Sequence, residues 1–347
     1  MYSVKLHGDG GYSVDIGSGI MFRATASVLT PGIKVMIVSD SNVLPLYEKK
    51  ISACIEECGC THITICFDAG EKIKNGENLL YIWQTLSENG FRRCDFVFAL
   101  GGGTVGDLAG FAAATYMRGM HLVHFPTSLL ACVDSSVGGK CAVNLKSAKN
   151  AAGVFRRPDK VICDTDFLAT LPEKEFSNGM AEIIKYGLAC DKSVIDDIIS
   201  GNPDIPAVIA KCVTAKKHYV EADEFDTGAR MILNFGHTVG HAIELLSGYA
   251  VPHGAAVAAG YICVLRSEGR SGLCPAELCE KAVKINMSYN LPVKTDYSAK
   301  DIVDAVAHDK KNCSSGQKMV LLHDAGDAYI ETFDRTKLYE FISEGLE

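Results

Sequence analysis

Through the first half of the chain, short runs of β-branched and aromatic residues alternate with segments whose apolar positions recur every three or four residues. IKVMIVSD at 33–40, THITICF at 61–67, DFVFAL at 95–100 and HLVHFP at 121–126 read as strands. Helices are expected near 43–58, 76–89 and 105–117, the last opened by a glycine-rich turn. Such alternation predicts an α/β domain around a largely parallel sheet. After about residue 172 the pattern changes. Apolar spacings of three and four predict helices near 174–190, 205–222, 229–247, 255–268 and 275–287, and so a second, mainly α-helical domain. The stretch 144–158, rich in lysine, asparagine, alanine and glycine, reads as the crossing, with domains over 1–157 and 158–347.

Length supports the division, because 347 residues exceed the usual size of one cooperative core. Apolar content of 48% and charged content of 22% describe a globular protein. A net charge of −8 argues against nucleic acid or an acidic membrane as a partner, while leaving room for a local basic pocket. The fourteen cysteines are scattered and contain no CxxC pair, which fits reduced thiols in a cytoplasmic setting better than a disulfide framework. The amino-terminal residues lack the basic and apolar regions of a signal peptide, and no run of about 18 apolar residues follows. A cytoplasmic enzyme is the expectation.

The densest chemistry lies in RMILNFGHTVGHAIELLSGYAVPH at 230–253. His237 and His241, four residues apart, share one helical face, where imidazoles can converge on a divalent metal or an anionic substrate, and His253 follows a turn. Two hydrogen-bonded core histidines would show the same spacing. Arg230, Asn234 and Glu244 on this otherwise apolar segment favour the functional reading, since buried polar groups need partners.

GGGTVG at 101–106 satisfies G-x-G-x-x-G, after a strand and before a helix. Glycine lets the backbone approach a pyrophosphate, whose charge the helix amino terminus stabilises. The turn falls at about the third strand, so it is not a standard dinucleotide fingerprint; Asp40 and Glu71, after the first two strands, suit ribose hydroxyls better. Tight strand-to-helix turns also use glycines without any ligand, and Asp107 also suits ordinary helix capping. Asp134, Lys140, Lys149 and Asn150 combine charge and hydrogen-bonding groups suited to a small phosphorylated or carboxylated substrate, with solvated lysines as the alternative.

Five blocks then resemble the 3-dehydroquinate synthases: ALGGGTVGDLAGFAAATYMRG (99–119), FPTSLLACVDSSVGGKCAVN (125–144), LPEKEFSNGMAEIIKYG (171–187), GARMILNFGHTVGHAIE (228–244) and HGAAVAAG (253–260). The resemblance implies a dehydroquinate synthase-like fold, with an NAD-binding α/β domain, a helical metal-binding domain and an active site in the cleft between them. It places Glu182, His237 and His253 on zinc or cobalt and moves His241 to the substrate side. Substrate roles are implied for Arg118, Asp134, Lys140, Asn150, Lys185, Lys216, Arg230, Asn234 and His241, with Lys310 chosen from the DKK at 309–311. NAD contacts are implied for Asp40, Asn42, Glu71, Lys74, Gly102, Gly103, Asp107, Thr127, Ser128 and Lys149. A homodimer is the family expectation.

The implied reaction converts 3-deoxy-D-arabino-heptulosonate 7-phosphate to 3-dehydroquinate and phosphate. Transient oxidation at C5 acidifies C6, phosphate leaves by β-elimination, the hydride returns, and ring opening with intramolecular aldol closure completes the carbocycle. Lysine and arginine are apt for so anionic a substrate. The chain departs from the family pattern at Ala131–Cys132, Cys141 and, with added charge, Arg156 and Arg157, where an aromatic and a glutamine are usual. Competing readings are a 2-deoxy-scyllo-inosose or valiolone-type cyclase, a polyol dehydrogenase that would release NADH, and a non-catalytic domain; the last would retain many costly buried charges.

Overall fold

The computed structural model describes residues 1–8, 11–146, 148–199, 202–309 and 316–347, and the chain forms two compact units, Met1–Leu171 and Pro172–Glu347. In chain order the first unit runs β1 (Tyr2–Leu6), β2 (Tyr12–Gly17), α1 (Met21–Ala26), β3 (Lys34–Asp40), α2 (Leu44–Glu57), β4 (Thr61–Phe67) and α3 (Gly76–Glu88). It continues with β5 (Phe96–Gly101), α4 (Gly103–Thr115), β6 (His121–Pro126), β7 (Lys140–Leu145), β8 (Ala148–Phe155) and β9 (Lys160–Asp164).

Seven of these strands form one sheet in the order β1-β2-β9-β6-β5-β3-β4, with only the β1–β2 pair antiparallel. Helices cover both faces, which is why its inner strands read as unbroken apolar runs. Val35 and Ile37 of β3 pack with Tyr47 and Ile51 of α2, while the intervening Met36 and Val38 pack with α3 and α4. Winding reverses between β3 and β5, because β4 lies outside β3 whereas β6 and β9 extend the sheet the other way. That reversal leaves a crevice beyond the carboxyl ends of β3 and β5, where open α/β sheets bind ligands.

Two expectations change here. The 144–158 stretch is no crossing: β8 pairs antiparallel with β7 as a separate ribbon, from Lys140 opposite Phe155 to Leu145 opposite Ala148. The division falls after Leu171 rather than after residue 157, because β9 pairs with β2 on one side and β6 on the other and completes the sheet.

The second unit contains α5 (Glu173–Ala189), α6 (Lys192–Ile198), α7 (Ile205–Ala222), α8 (His237–Leu246), α9 (His253–Arg270), α10 (Ala276–Ser288) and α11 (Ala299–Asp309). A hairpin of β10 (Gln317–Asp324) and β11 (Asp327–Phe333) and then α12 (Arg335–Leu346) follow. α9 is the hub, flanked by α5, α8, α10 and α12 and buried over most of its length, which requires an apolar sequence all round. Each fully buried leucine or isoleucine there, such as Leu265 or Ile262, contributes about 1.5–3 kcal/mol. Among the described residues no helix is long and apolar enough to cross a membrane.

The helix expected over 229–247 is broken. A 3₁₀ turn at Ala229–Asn234 ends at Phe235, and Gly236, with φ of 76°, restarts the chain as α8. A Cβ on Gly260 would stand 2.2 Å from the Gly236 carbonyl oxygen and 2.9 Å from the Gly240 nitrogen, so α8 and α9 meet backbone to backbone. No larger residue leaves that approach intact.

Candidate active site

The close α8–α9 packing sets His237 and His253, each the first residue of its helix, beside the same carboxylate. His237 Nε2 lies 3.6 Å and His253 Nε2 3.3 Å from Oε1 of Glu182, which projects from α5 and is fully buried. The three ligand atoms lie within 4.8 Å of one another, a grouping of the donor types and size that could hold one metal ion. Both rings are oriented from behind: His237 Nδ1 donates to the Phe235 carbonyl at 3.1 Å, and His253 Nδ1 lies 3.0 Å from Glu244 Oε2. Such partners fix the tautomer that turns Nε2 toward a metal. Asn178 Oδ1 accepts from Gly254 N and ties the first turn of α9 to α5.

Charge in this pocket is strongly coupled. Lys185 Nζ sits 2.5 Å from Glu182 Oε2 and 4.4 Å from the centre of the Tyr186 ring. Burial pushes His237 down to about 3, helped by the positive charges of Lys185, His253 and His241 and opposed by Glu182. Burial also acts to lower His253, but hydrogen bonds to Glu182 and Glu244 outweigh it and hold that imidazole up at about 10. A divalent cation supplies the positive charge that the His253 proton otherwise brings, so the donor set fits a metal.

His241 is exposed on α8, with its ring centre 5.3 Å from that of His237. The spacing-based pair is therefore not the three-ligand set: His253 replaces His241. His241 instead joins Glu244 and His253 in an adjoining donor group.

In the first unit, Asp40 ends β3 and Gly101 ends β5, on either side of the winding reversal. Asp40 Oδ1 accepts from the backbone of Asn42 at 2.9 Å and of Val43 at 3.1 Å. The first turn of α4 has no side-chain cap, and a Cβ on Gly103 would come within 2.7 Å of Ser135 Oγ. Thr127 N donates to Gly101 O, and Ser128 Oγ accepts from Ala131 N, so both are fixed beside that turn. Lys74, buried, bonds Asp107 at 2.6 Å and Asn150 Oδ1 at 2.5 Å and lies 3.6 Å from Glu71. Glu71 in turn accepts from Thr104 at 3.0 Å and from Asn144 at 2.8 Å. Bare helix-terminal amides beside this network fit an anionic nucleotide.

Residues 64–178 match the 3-dehydroquinate synthase N-terminal family and residues 179–312 its C-terminal family. The chain belongs to the 3-dehydroquinate synthase family. It is 40% identical over 344 residues to the 3-dehydroquinate synthase of Streptococcus sanguinis strain SK36, covering 96% of this chain and 97% of that one. With the Clostridium acetobutylicum enzyme identity is 39% over 345 residues, with the same coverages. A solved 2-deoxy-scyllo-inosose synthase, complexed with carbaglucose-6-phosphate, NAD+ and Co2+, superposes with a TM-score of 0.87 at 25% identity, over 99% of this chain and 100% of the other. An iron-containing alcohol dehydrogenase from Thermococcus thioreducens, at TM-score 0.68 and 14% identity over 96% and 98% of the chains, shares the fold alone.

Within this family member, the remaining site residues divide by location. Lys216 on α7 and Arg230 are buried, and Asn234, at the end of the 3₁₀ turn, is exposed. Asp223 shapes that approach: it accepts from the backbone of Thr227, Gly228 and Arg230, bonds that hold its carboxyl down at about 2. Arg230 Nη1 also donates to Glu224 O at 3.0 Å. Arg118 is exposed in a left-handed turn after α4, and Asp134 lies in a π-helical turn after β6. The four residues Asp134, Lys140, Lys149 and Asn150 do not share one loop. Lys140 opens β7, whereas Lys149 and Asn150 lie towards the ribbon's far end, roughly four strand positions or ~13 Å along the backbone. Lys310 lies outside the described residues.

Thr104, Asn144, Asn178 and Asp223 were not singled out by sequence reasoning. Each acts on a residue more than two positions away, so local spacing carries no sign of it; Thr104, Asn144 and Asn178 do at least fall inside blocks that match the family.

Proposed function

We propose that this chain converts 3-deoxy-D-arabino-heptulosonate 7-phosphate to 3-dehydroquinate and phosphate, as an NAD- and divalent-metal-dependent lyase. The observation that carries the reading is the convergence of Glu182, His237 and His253, oriented by Phe235 and Glu244, in a chain of this family. Bound NAD would supply reversible hydride transfer at C5, and zinc or cobalt would supply Lewis acidity at the C5 oxygen.

Glu182, His237 and His253 hold the metal, and Lys185 balances the Glu182 charge while facing substrate. Arg118, Lys140, Asn150, Lys216, Arg230, Asn234 and His241 bind the phosphate, carboxylate and hydroxyl groups, and Asp134 accepts from a hydroxyl. Asp40, Asn42, Glu71, Lys74, Gly102, Gly103, Asp107, Thr127, Ser128 and Lys149 hold NAD. Lysines and arginines at this density favour a dianionic phosphate with a carboxylate over a neutral polyol. Asn150 belongs to both sets, since Lys74, which also bonds Asp107, donates to it. The reading includes a homodimer in the cytoplasm, checked by sedimentation and cell fractionation.

A second reading, a cyclase acting on a different sugar phosphate, draws on the likeness to the inosose synthase complex. Phosphate release from the heptulosonate, with zinc or cobalt and catalytic NAD, separates the two when NADH absorbance and the carbon product are followed together. Turnover to 3-dehydroquinate without accumulated NADH is expected. No turnover by protein that binds both metal and NAD would overturn the reading.

A further inference from the structure

Met117, Arg118 and Gly119, which lead from α4 to β6, take φ values of 47°, 65° and 124° in succession. Left-handed backbone is sterically disfavoured for any residue with a Cβ, so such a run persists only where its surroundings over-determine it. The turn's own backbone contributes Gly119 N to Tyr116 O at 2.9 Å and Met120 N to Ala113 O at 2.8 Å. Arg93 Nε reaches Gly119 O from the exposed side at a long 3.5 Å.

The firmest side-chain hold comes from Arg156, just beyond the end of β8. Its Nη2 donates to Met120 O at 2.5 Å, and its Nη1 lies 3.7 Å from the position of a Cβ on Gly119. The guanidinium thus lies against the turn from the side where Gly119 has no side chain. The backbone of Arg156 is pinned too, donating from N to Gly139 O at 2.7 Å, next to Lys140. One residue therefore ties the segment before Lys140 to the turn that presents Arg118. Its Nε is buried without an acceptor among the described residues, an arrangement that stability alone does not favour.

We propose that Arg156 is a positioning residue: it locks the 116–120 turn so that Arg118 projects in a single orientation, and it thereby sets substrate affinity without touching substrate. This gives a role to a charge that stands where the family pattern carries an aromatic residue. The proposal rests on the reading of Arg118 as a substrate-binding group.

The test is a double-mutant cycle on the metal-loaded enzyme, combining R156A and R118A, with R156K as the conservative variant. R156A should raise KM for the sugar phosphate on the order of tenfold with kcat little changed, while NAD affinity stays put. In the R118A background the same substitution should add less than about twofold, because the group it positions is gone. R156K, which keeps one donor for Met120 O, should recover much of the loss and serves if R156A does not fold. Hydrogen exchange at the Gly119 and Met120 amides should quicken in R156A. Equal losses in both backgrounds, or unchanged KM and unchanged exchange in R156A, would overturn the proposal. A wild-type KM for R118A with faster exchange in R156A would leave the positioning role standing and sink the substrate reading of Arg118.

Discussion

The two units assemble their candidate sites by different means. In the second, His237 and His253 are placed by helices whose backbones touch at Gly236, Gly240 and Gly260, and Glu182 by α5, tied to the first turn of α9 through Asn178 and Gly254. In the first, Glu71 and Lys74 from a short 3₁₀ turn, Thr104 and Asp107 from the start of α4, and Asn144 and Asn150 from a two-stranded ribbon are drawn together by side-chain bonds, with Glu71 and Asn150 exposed. Rigid elements hold a ligand set more tightly than loops do. A metal needs donors within tenths of an ångström, whereas a long nucleotide can share its binding among many weaker contacts.

Breaking the backbone contact should have the largest effect. In G260A the new Cβ would stand 2.2 Å from Gly236 O, so α8 and α9 must separate. We expect a loss of roughly 1–3 kcal/mol in stability together with a fall in metal affinity of about a hundredfold. Urea unfolding and metal titration check this; unchanged metal binding would show that the glycine contacts do not set the site.

Ionisation should sharpen the contrast through one buried group in each unit. Glu268 on α9 is fully buried, accepts from Leu322 N at 2.5 Å, and is raised by burial to about 8. The fold favours its neutral form, so its contribution is complete below the unfolded carboxyl range and is lost as pH rises towards 8. His124 in β6 is lowered by burial to about 4, so its contribution is complete above the unfolded imidazole range and is lost as pH falls towards 4. Each is on the order of a few kcal/mol. Trp83, the only tryptophan, reports the first unit by fluorescence, and helical circular dichroism weights the second. E268Q should abolish the alkaline fall in the urea midpoint; if wild type and E268Q move in parallel between pH 5 and 8, this assignment is wrong.

A side-chain deletion in the first unit should be milder. K74A removes the cation shared by Asp107, Asn150 and Glu71, and NAD affinity should drop about tenfold with metal content near wild type, while stability falls by about 1–3 kcal/mol because Asp107 loses its partner. Calorimetric titration showing unaltered NAD binding would remove Lys74 from the nucleotide set.

The same contrast explains what the sequence disclosed. The apolar runs of β3 and β6 and the three-to-four period of α7 were legible because burial on one or both sides leaves a continuous signature. The ribbon strand Ala148–Phe155 was not, since its residues are mostly exposed and none is fully buried. Nor was the break at Gly236 visible inside an otherwise periodic segment. At the metal site, periodicity drew attention to His237 and His241, and only the family resemblance brought in Glu182 and His253 as partners of His237. Side-chain networks such as Glu71–Thr104 and Glu71–Asn144 join residues 33 and 73 positions apart, beyond the reach of any local pattern.

The central claim is that Glu182, His237 and His253 form one metal centre, and cobalt titration of wild type, E182A, H237A and H253A tests it most directly. Wild type should take up one equivalent with an absorption spectrum of nitrogen and oxygen ligation, and each variant should lose at least about a hundredfold in affinity. Full uptake with an unchanged spectrum in all three variants would contradict it.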